Sequence, residues 1–164
     1  LGIDPEQCFP KETHGPKGNR PYVTVNAAIQ ALAKVKDSHD SFNHETMKHS
    51  QVIRERMKLV KPGQVGLPKF LPKNKRHLKC NSFLTVYQRL HPDKPAQTIV
   101  PGHQGFPIHP TLNRSLTVRE AARLQSFRDD YLFFGSKVSQ GLQVGNAVPP
   151  LLAEAVARRI KELM

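Results

Sequence analysis

The pattern of apolar and polar positions changes character three times along the chain. From Thr24 onward, Val25, Ala28, Ile29 and Leu32 recur at i, i+3, i+4 and i+7, which predicts a short helix over 24–32 with one buried face. A second helix is predicted from Glu45 to Val60, with Ile53, Met57 and Val60 on one side and Lys48, Arg54 and Lys58 elsewhere. Pro62 and Gly63 should stop it near Lys61. The period then shortens: SFLTVYQ at 82–88 is rich in aromatic and β-branched residues and predicts a strand, with QTIV at 97–100 as its neighbour and HPDKP at 91–95 as turn material.

The C-terminal third carries the firmest local signals. In SLTVREAARLQSF (115–127), Thr117 is followed three places later by Glu120, the pattern of a capping box, with Leu116 and Ala121 where a hydrophobic staple would sit. A last helix is predicted to begin near Pro149 and Pro150, whose missing amide hydrogens cost least in a first turn. Its stripe of Leu152, Val156, Ile160 and Leu163 needs a surface to cover it. Residues 1–20 show neither period and read as a linker or poorly ordered lead-in.

Charge sharpens this picture. The chain has 164 residues and a formal net charge of +12, and residues 48–80 hold ten Lys or Arg against the single Glu55. Within them, 62–80 is punctuated by Pro62, Gly63, Gly66, Pro68 and Pro72, which gives a positively charged loop suited to a polyanion. Lys69, Lys73, Lys75, Arg76 and Lys79 are the candidate phosphate contacts, while Asn74, Arg76 and Asn81 are candidates for reading base edges. The bland alternative is a solvated charged face.

Only Cys8 and Cys80 occur, at no spacing that suggests a metal site or a disulfide framework, so a reducing cytoplasmic setting is expected. The eight histidines are scattered, and no metal is expected. No apolar run reaches 18 residues, so no membrane partner is expected. The first residue is Leu1, which suggests a piece of something longer.

At RSLTVREAARLQSF (114–127) and QVGNAVPPLLAEAVARRI (143–160), the chain resembles the last two motifs, numbered nine and ten, of the DNA (cytosine-5)-methyltransferases. Upstream, YQRLHPDKPAQTIV (87–100) and the segment from His109 to Arg114 are similar to the end of that family's target-recognition region. TVNAAIQAL (24–32) and MKHSQVIRERMKLVKPG (47–63) are similar to its start. Arg128 stands where the family commonly has proline.

The resemblance implies an α+β mixed fragment: a small recognition domain over 21–112, then motifs nine and ten over 113–164, whose helices complete a doubly wound α/β methyltransferase domain. It also implies the chemistry of the whole enzyme. A cysteine thiolate from a Pro-Cys pair attacks a cytosine flipped out of the duplex, and carbon 5 takes a methyl group from S-adenosylmethionine. Neither cysteine here follows a proline, and the Glu-Asn-Val motif, whose glutamate assists at ring nitrogen 3 in the resembling family, does not occur. No catalytic residue is therefore assigned, and the isolated chain is expected to be inactive.

By the same resemblance, Asn146, Ala147 and Val148 should line one wall of the methyl-donor pocket. Arg119, Glu120 and Arg123 should brace the recognition region against the catalytic part. The bland alternatives are a loop-to-helix cap at Asn146 and a solvated charged helix face at the other three. The implied partners are double-stranded DNA and the N-terminal catalytic part or subunit, with a homodimer through exposed helices as a further possibility. Two other functional classes compete: a DNA-binding module that has lost catalysis, and a generic basic RNA-binding protein, which leaves both C-terminal motifs unexplained.

Overall fold

The computed structural model describes residues 8–35, 42–67, 87–100 and 106–164. Helix α1 (Val25–Ile29) is capped by Thr24, whose side chain accepts from the Ala27 amide, and runs on into a 3-10 turn, Gln30–Lys34. The amides of Val25 and Asn26, which have no partner within so short a helix, donate to the carbonyls of Lys94 and Pro92. The expected turn at 91–95 is thus what receives the start of α1.

Helix α2 (Gln51–Lys58) begins six residues later than the sequence pattern predicts, with Ser50 as its cap. The residues before it stay extended because their side chains are committed elsewhere. His44 lies between the Thr117 hydroxyl and the Leu32 carbonyl, 3.0 Å from each. His49 Nε2 meets the Ser115 hydroxyl at 3.0 Å.

Three helices complete the C-terminal part: α3 (Val118–Leu124), α4 (Lys137–Asn146) and α5 (Pro150–Leu163). The capping box of α3 is formed as the sequence predicts, Thr117 Oγ1 accepting from the Glu120 amide at 3.1 Å and Glu120 Oε2 accepting from the Thr117 amide at 2.8 Å. The staple residues Leu116 and Ala121 are both fully buried. Helix α4 has no counterpart among the predicted elements. Gly141 and Gly145 lower its helix propensity and Val144 is its only buried residue, so no apolar period marks it.

Among the described residues β-structure amounts to isolated bridges, His14 with Arg20, Val65 with Gln88, Arg89 with Ile108 and Ile108 with Ser115, where a few strands are expected from the sequence. Residues 97–100 form no strand, and the predicted strand at 82–88 lies outside the described residues up to 86. Pro92, Pro95 and Pro107 flank the extended pieces and withhold ladder donors.

The main core gathers Val25 and Ile29 of α1, Leu90, Ile99, Leu116, Phe133, Val118, Ala121 and Ala122 of α3, and Val144 of α4. It therefore spans both sides of the expected boundary between residues 112 and 113. A smaller cluster joins Met57, Val60, Tyr87 and Ile108 under α2. Helix α5 contributes nothing to either; none of its residues is buried, and Leu151, Leu152, Val156 and Ile160 are exposed. Among the described residues no helix is long and apolar enough to cross a membrane.

Candidate functional site

Of the polar residues of α3, Arg119 and Glu120 sit inside the fold and Arg123 is half-buried. Arg119 is fully buried and donates to the carbonyls of Phe42 (2.9 Å), Arg128 (3.0 Å) and Tyr131 (2.6 Å), while its guanidinium lies 4.8 Å from the centre of the Phe42 ring. Burial lowers its pKa from the ordinary arginine value. Arg123 forms a two-pronged ion pair with Asp129, at 2.9 and 2.6 Å, and reaches back to the Ala28 carbonyl of α1. Arg128, at the position where the resembling family commonly has proline, is exposed and pairs with Asp130 at 2.7 Å.

Glu120 is also fully buried. Burial pushes its carboxyl upward, but the two bonds from Arg114, that residue's charge and the Thr117 amide outweigh burial and leave the carboxyl below its usual range. His109 lies beside it, Nε2 at 3.7 Å from Glu120 Oε1. Burial drives the imidazole down to about 4, against the upward pull of Glu120 and assisted by Arg114 and Arg89. At neutral pH the ring is therefore uncharged, and the His109–Glu120 contact is not an ion pair. Nδ1 accepts from the amides of Thr111 and Leu112, which places the ring proton on Nε2.

One buried cation is not marked by the sequence patterns. Arg89 is 4% exposed, and its guanidinium is bonded throughout to α2 and to the turn at 109–113. An arginine directly after the apolar run at 82–88 is the one signal the sequence offers for it.

Asn146 and Gly145 do not lie in a loop before the last helix, as the sequence suggests: they close α4, and Ala147 to Pro149 make the link to α5. Asn146 is exposed, Ala147 half-buried and Val148 61% exposed, so the link presents an amide and a branched apolar group at an open edge. The N-terminus of α5 is tied back to the end of α3 by the Leu151 amide, which donates to Ser126 Oγ at 3.2 Å. A cavity of about 200 Å3 lies between α4 and the segments around Met47 and Phe106, with Glu45 and Lys137 paired at its rim.

Lys69, Lys73, Lys75, Arg76 and Lys79 lie outside the described residues, as do Asn74, Cys80 and Asn81. The described part of the basic region is α2 and the turn after it, where Arg54, Lys58 and Lys61 are exposed. Lys58 pairs with Glu55 at 2.7 Å, whereas among the described residues Arg54 and Lys61 have no carboxylate partner.

Comparison with known proteins gives this architecture a family. Over residues 4–162 the chain matches the family model for C-5 cytosine-specific DNA methylases. It is 41% identical over 160 residues to the type II methyltransferase M1.HphI of Haemophilus parahaemolyticus, a match covering 96% of this chain and 40% of that protein. Type II methyltransferase M.AquIB of a Picosynechococcus strain is 39% identical over 132 residues, 73% of this chain and 87% of that one. In three dimensions the chain superposes with a TM-score of 0.69 and 24% identity on a solved structure described as a DNA modification methyltransferase encoded within an E. coli prophage, covering 99% of this chain and 51% of the other. The chain spans about 40% of the length of the first of these relatives, and over that span it belongs to the C-5 cytosine-specific DNA methylase family.

Proposed function

We propose that this chain is the C-terminal portion of a DNA (cytosine-5)-methyltransferase, supplying DNA recognition and one wall of the methyl-donor pocket to a catalytic part that holds the nucleophile. The observation that carries the reading is α5: an amphipathic helix of 14 residues with none of them buried, anchored at its first turn and with Leu151, Leu152, Val156 and Ile160 exposed. A helix of that pattern is at home against a larger apolar surface, and the family match supplies the reason for one.

In this reading the residues divide by chemistry. Lys69, Lys73, Lys75, Arg76 and Lys79, together with the exposed Arg54 and Lys61, meet phosphate oxygens, which position a duplex without reading it. Arg119, Glu120 and Arg123 hold α3 rigid between α1 and the residues after it, so that the recognition region and the C-terminal helices move as one body.

S-adenosylmethionine, when bound, supplies an electrophilic methyl group. The open edge at Asn146, Ala147 and Val148 fits one side of such a ligand: the Asn146 amide can donate and accept, and the Val148 methyls can cover apolar surface. Nothing opposite that edge encloses it among the described residues, in keeping with a second wall from the catalytic part. The flipped cytosine would likewise be held mainly by residues this chain does not carry.

The test is methyl transfer. The chain alone, with cytosine-containing duplex and labelled S-adenosylmethionine, should give no incorporation above background. Adding the upstream catalytic part should restore it. Incorporation by the pure chain, or no restoration by a catalytic part that binds it, would sink the reading.

A further inference from the structure

Every N–H of the Arg89 guanidinium is engaged, and no acceptor is a carboxylate. Nε donates to the Val60 carbonyl at 2.6 Å, Nη2 to the Met57 carbonyl at 2.6 Å and Asn113 Oδ1 at 2.8 Å, and Nη1 to the carbonyls of His109 and Leu112 at 2.8 and 2.9 Å. The backbone joins in: Gly63 donates to the Arg89 carbonyl, and the Arg89 amide to the Gln64 carbonyl. Gly63, at φ 76, makes the left-handed turn that brings the chain back from α2 to this residue.

The acceptors fall into two groups. Met57 lies in the last turn of α2, where the negative end of the helix dipole gathers and a cation is favoured, and Val60 follows two residues after the helix ends. His109, Leu112 and Asn113 form the turn that leads directly into Arg114 and the capping box of α3. An apolar contact between the two would resist separation but allow them to turn against each other. Five directional bonds from one planar group fix the angle as well. Helix α2 carries on its outer surface Arg54, which is without a carboxylate partner among the described residues, and Lys61 comes just after it.

We propose that Arg89 is a positioning residue for DNA binding: it sets the angle at which the cations of α2 meet the duplex backbone relative to α3. This rests on the reading of the chain as the DNA-recognising portion of a methyltransferase. Arg89 touches no DNA itself. Its effect reaches the duplex through α2.

The experiment uses the 164-residue chain and a cytosine-containing duplex. Affinity is measured against salt for wild type, Arg54→Ala, Arg89→Lys and the double variant, with amide hydrogen exchange recorded for each. Lysine keeps the charge but has only three donors in place of five. In the wild-type background Arg54→Ala should lower the salt slope by about 1. In the Arg89→Lys background the same change should alter affinity by less than about twofold, because the misplaced side chain no longer reaches its phosphate. Amides of α2 should exchange faster while those of α3 keep their protection.

Additive losses, or an Arg54→Ala change without effect in either background, would overturn the proposal. So would exchange that rises equally in α2 and α3, since Arg89 would then only support the core. Where Arg89→Lys unfolds the chain, Asn113→Ala removes a single acceptor and permits the same comparison. A wild-type chain that fails to bind duplex at low salt overturns the DNA reading together with this proposal. Binding with additive losses overturns this proposal alone.

Discussion

Arg114 and Glu120 meet head-on, Nη1 to Oε2 and Nη2 to Oε1, both at 2.7 Å, with the carboxylate wholly buried. Glu120 Oε2 also takes the Thr117 amide, so one side chain closes the start of α3 and neutralises the cation before it. Removing the arginine leaves an uncompensated charge in the core. Arg114→Ala should cost about 3–5 kcal/mol in urea unfolding, and Arg114→Lys, which cannot form both bonds, a smaller part of that. A loss below about 1 kcal/mol for Arg114→Ala would mean that water reaches Glu120 in solution.

The neighbouring imidazole makes stability depend on pH. His109 is held near 4 in the folded chain against 6.5 when free, so the unfolded state binds the proton first as pH falls. Its contribution is complete above about pH 6.5 and is lost progressively down to about pH 4, amounting to about 3 kcal/mol. Glu120, whose carboxyl is also lowered, adds loss in the same direction at more acid pH. His109→Asn should flatten the dependence between pH 6.5 and 4 in denaturant titrations; a variant with the wild-type slope would remove His109 as its source.

How much of this is legible in the sequence depends on the range of the interaction. The capping box at Thr117 and Glu120 and the face of Val25, Ile29 and Leu32 are local patterns, and both are formed. The start of α2 is misplaced by periodicity because His44 and His49 bind residues more than sixty positions away. Periodicity carries no trace of such partners. Helix α4 is hidden for the opposite reason, since one buried valine among glycines and polar residues leaves no stripe to see. The role of Arg89 can be read only from the way α2 and the turn at 109–113 share it.

Helix α5 should make the isolated chain associate with itself. Leu151, Leu152, Val156 and Ile160 are 40% exposed or more, and a stripe of that kind seeks a partner. Sedimentation of the isolated chain should show a dimer that weakens on dilution. Leu152→Glu with Ile160→Glu should return it to monomer while changing core stability by only about 0.5 kcal/mol, because neither side chain is buried in the chain. A monomer at every concentration would show that the stripe is tolerated in water.

Asn146 separates the functional reading from a structural one. It closes α4 as an exposed residue, with Ala147 and Val148 between it and the Pro149–Pro150 start of α5. If the amide serves the methyl donor, Asn146→Ala in the assembled enzyme should weaken donor binding or slow transfer, with the melting temperature unchanged. If it serves only as the last residue of the helix, the same change should leave stability within about 0.5 kcal/mol and donor affinity intact, since the exposed side chain caps neither α4 nor α5. The two effects are read side by side, donor binding by calorimetry and unfolding by heat, on wild type and variant. The salt slope of duplex binding serves as an internal control: it should not move, because Asn146 carries no charge to release a counterion. Unchanged donor affinity and transfer rate would withdraw Asn146 from the pocket. Ala147 and Val148 would lose their assignment with it, because they are carried there by the same short link between α4 and α5.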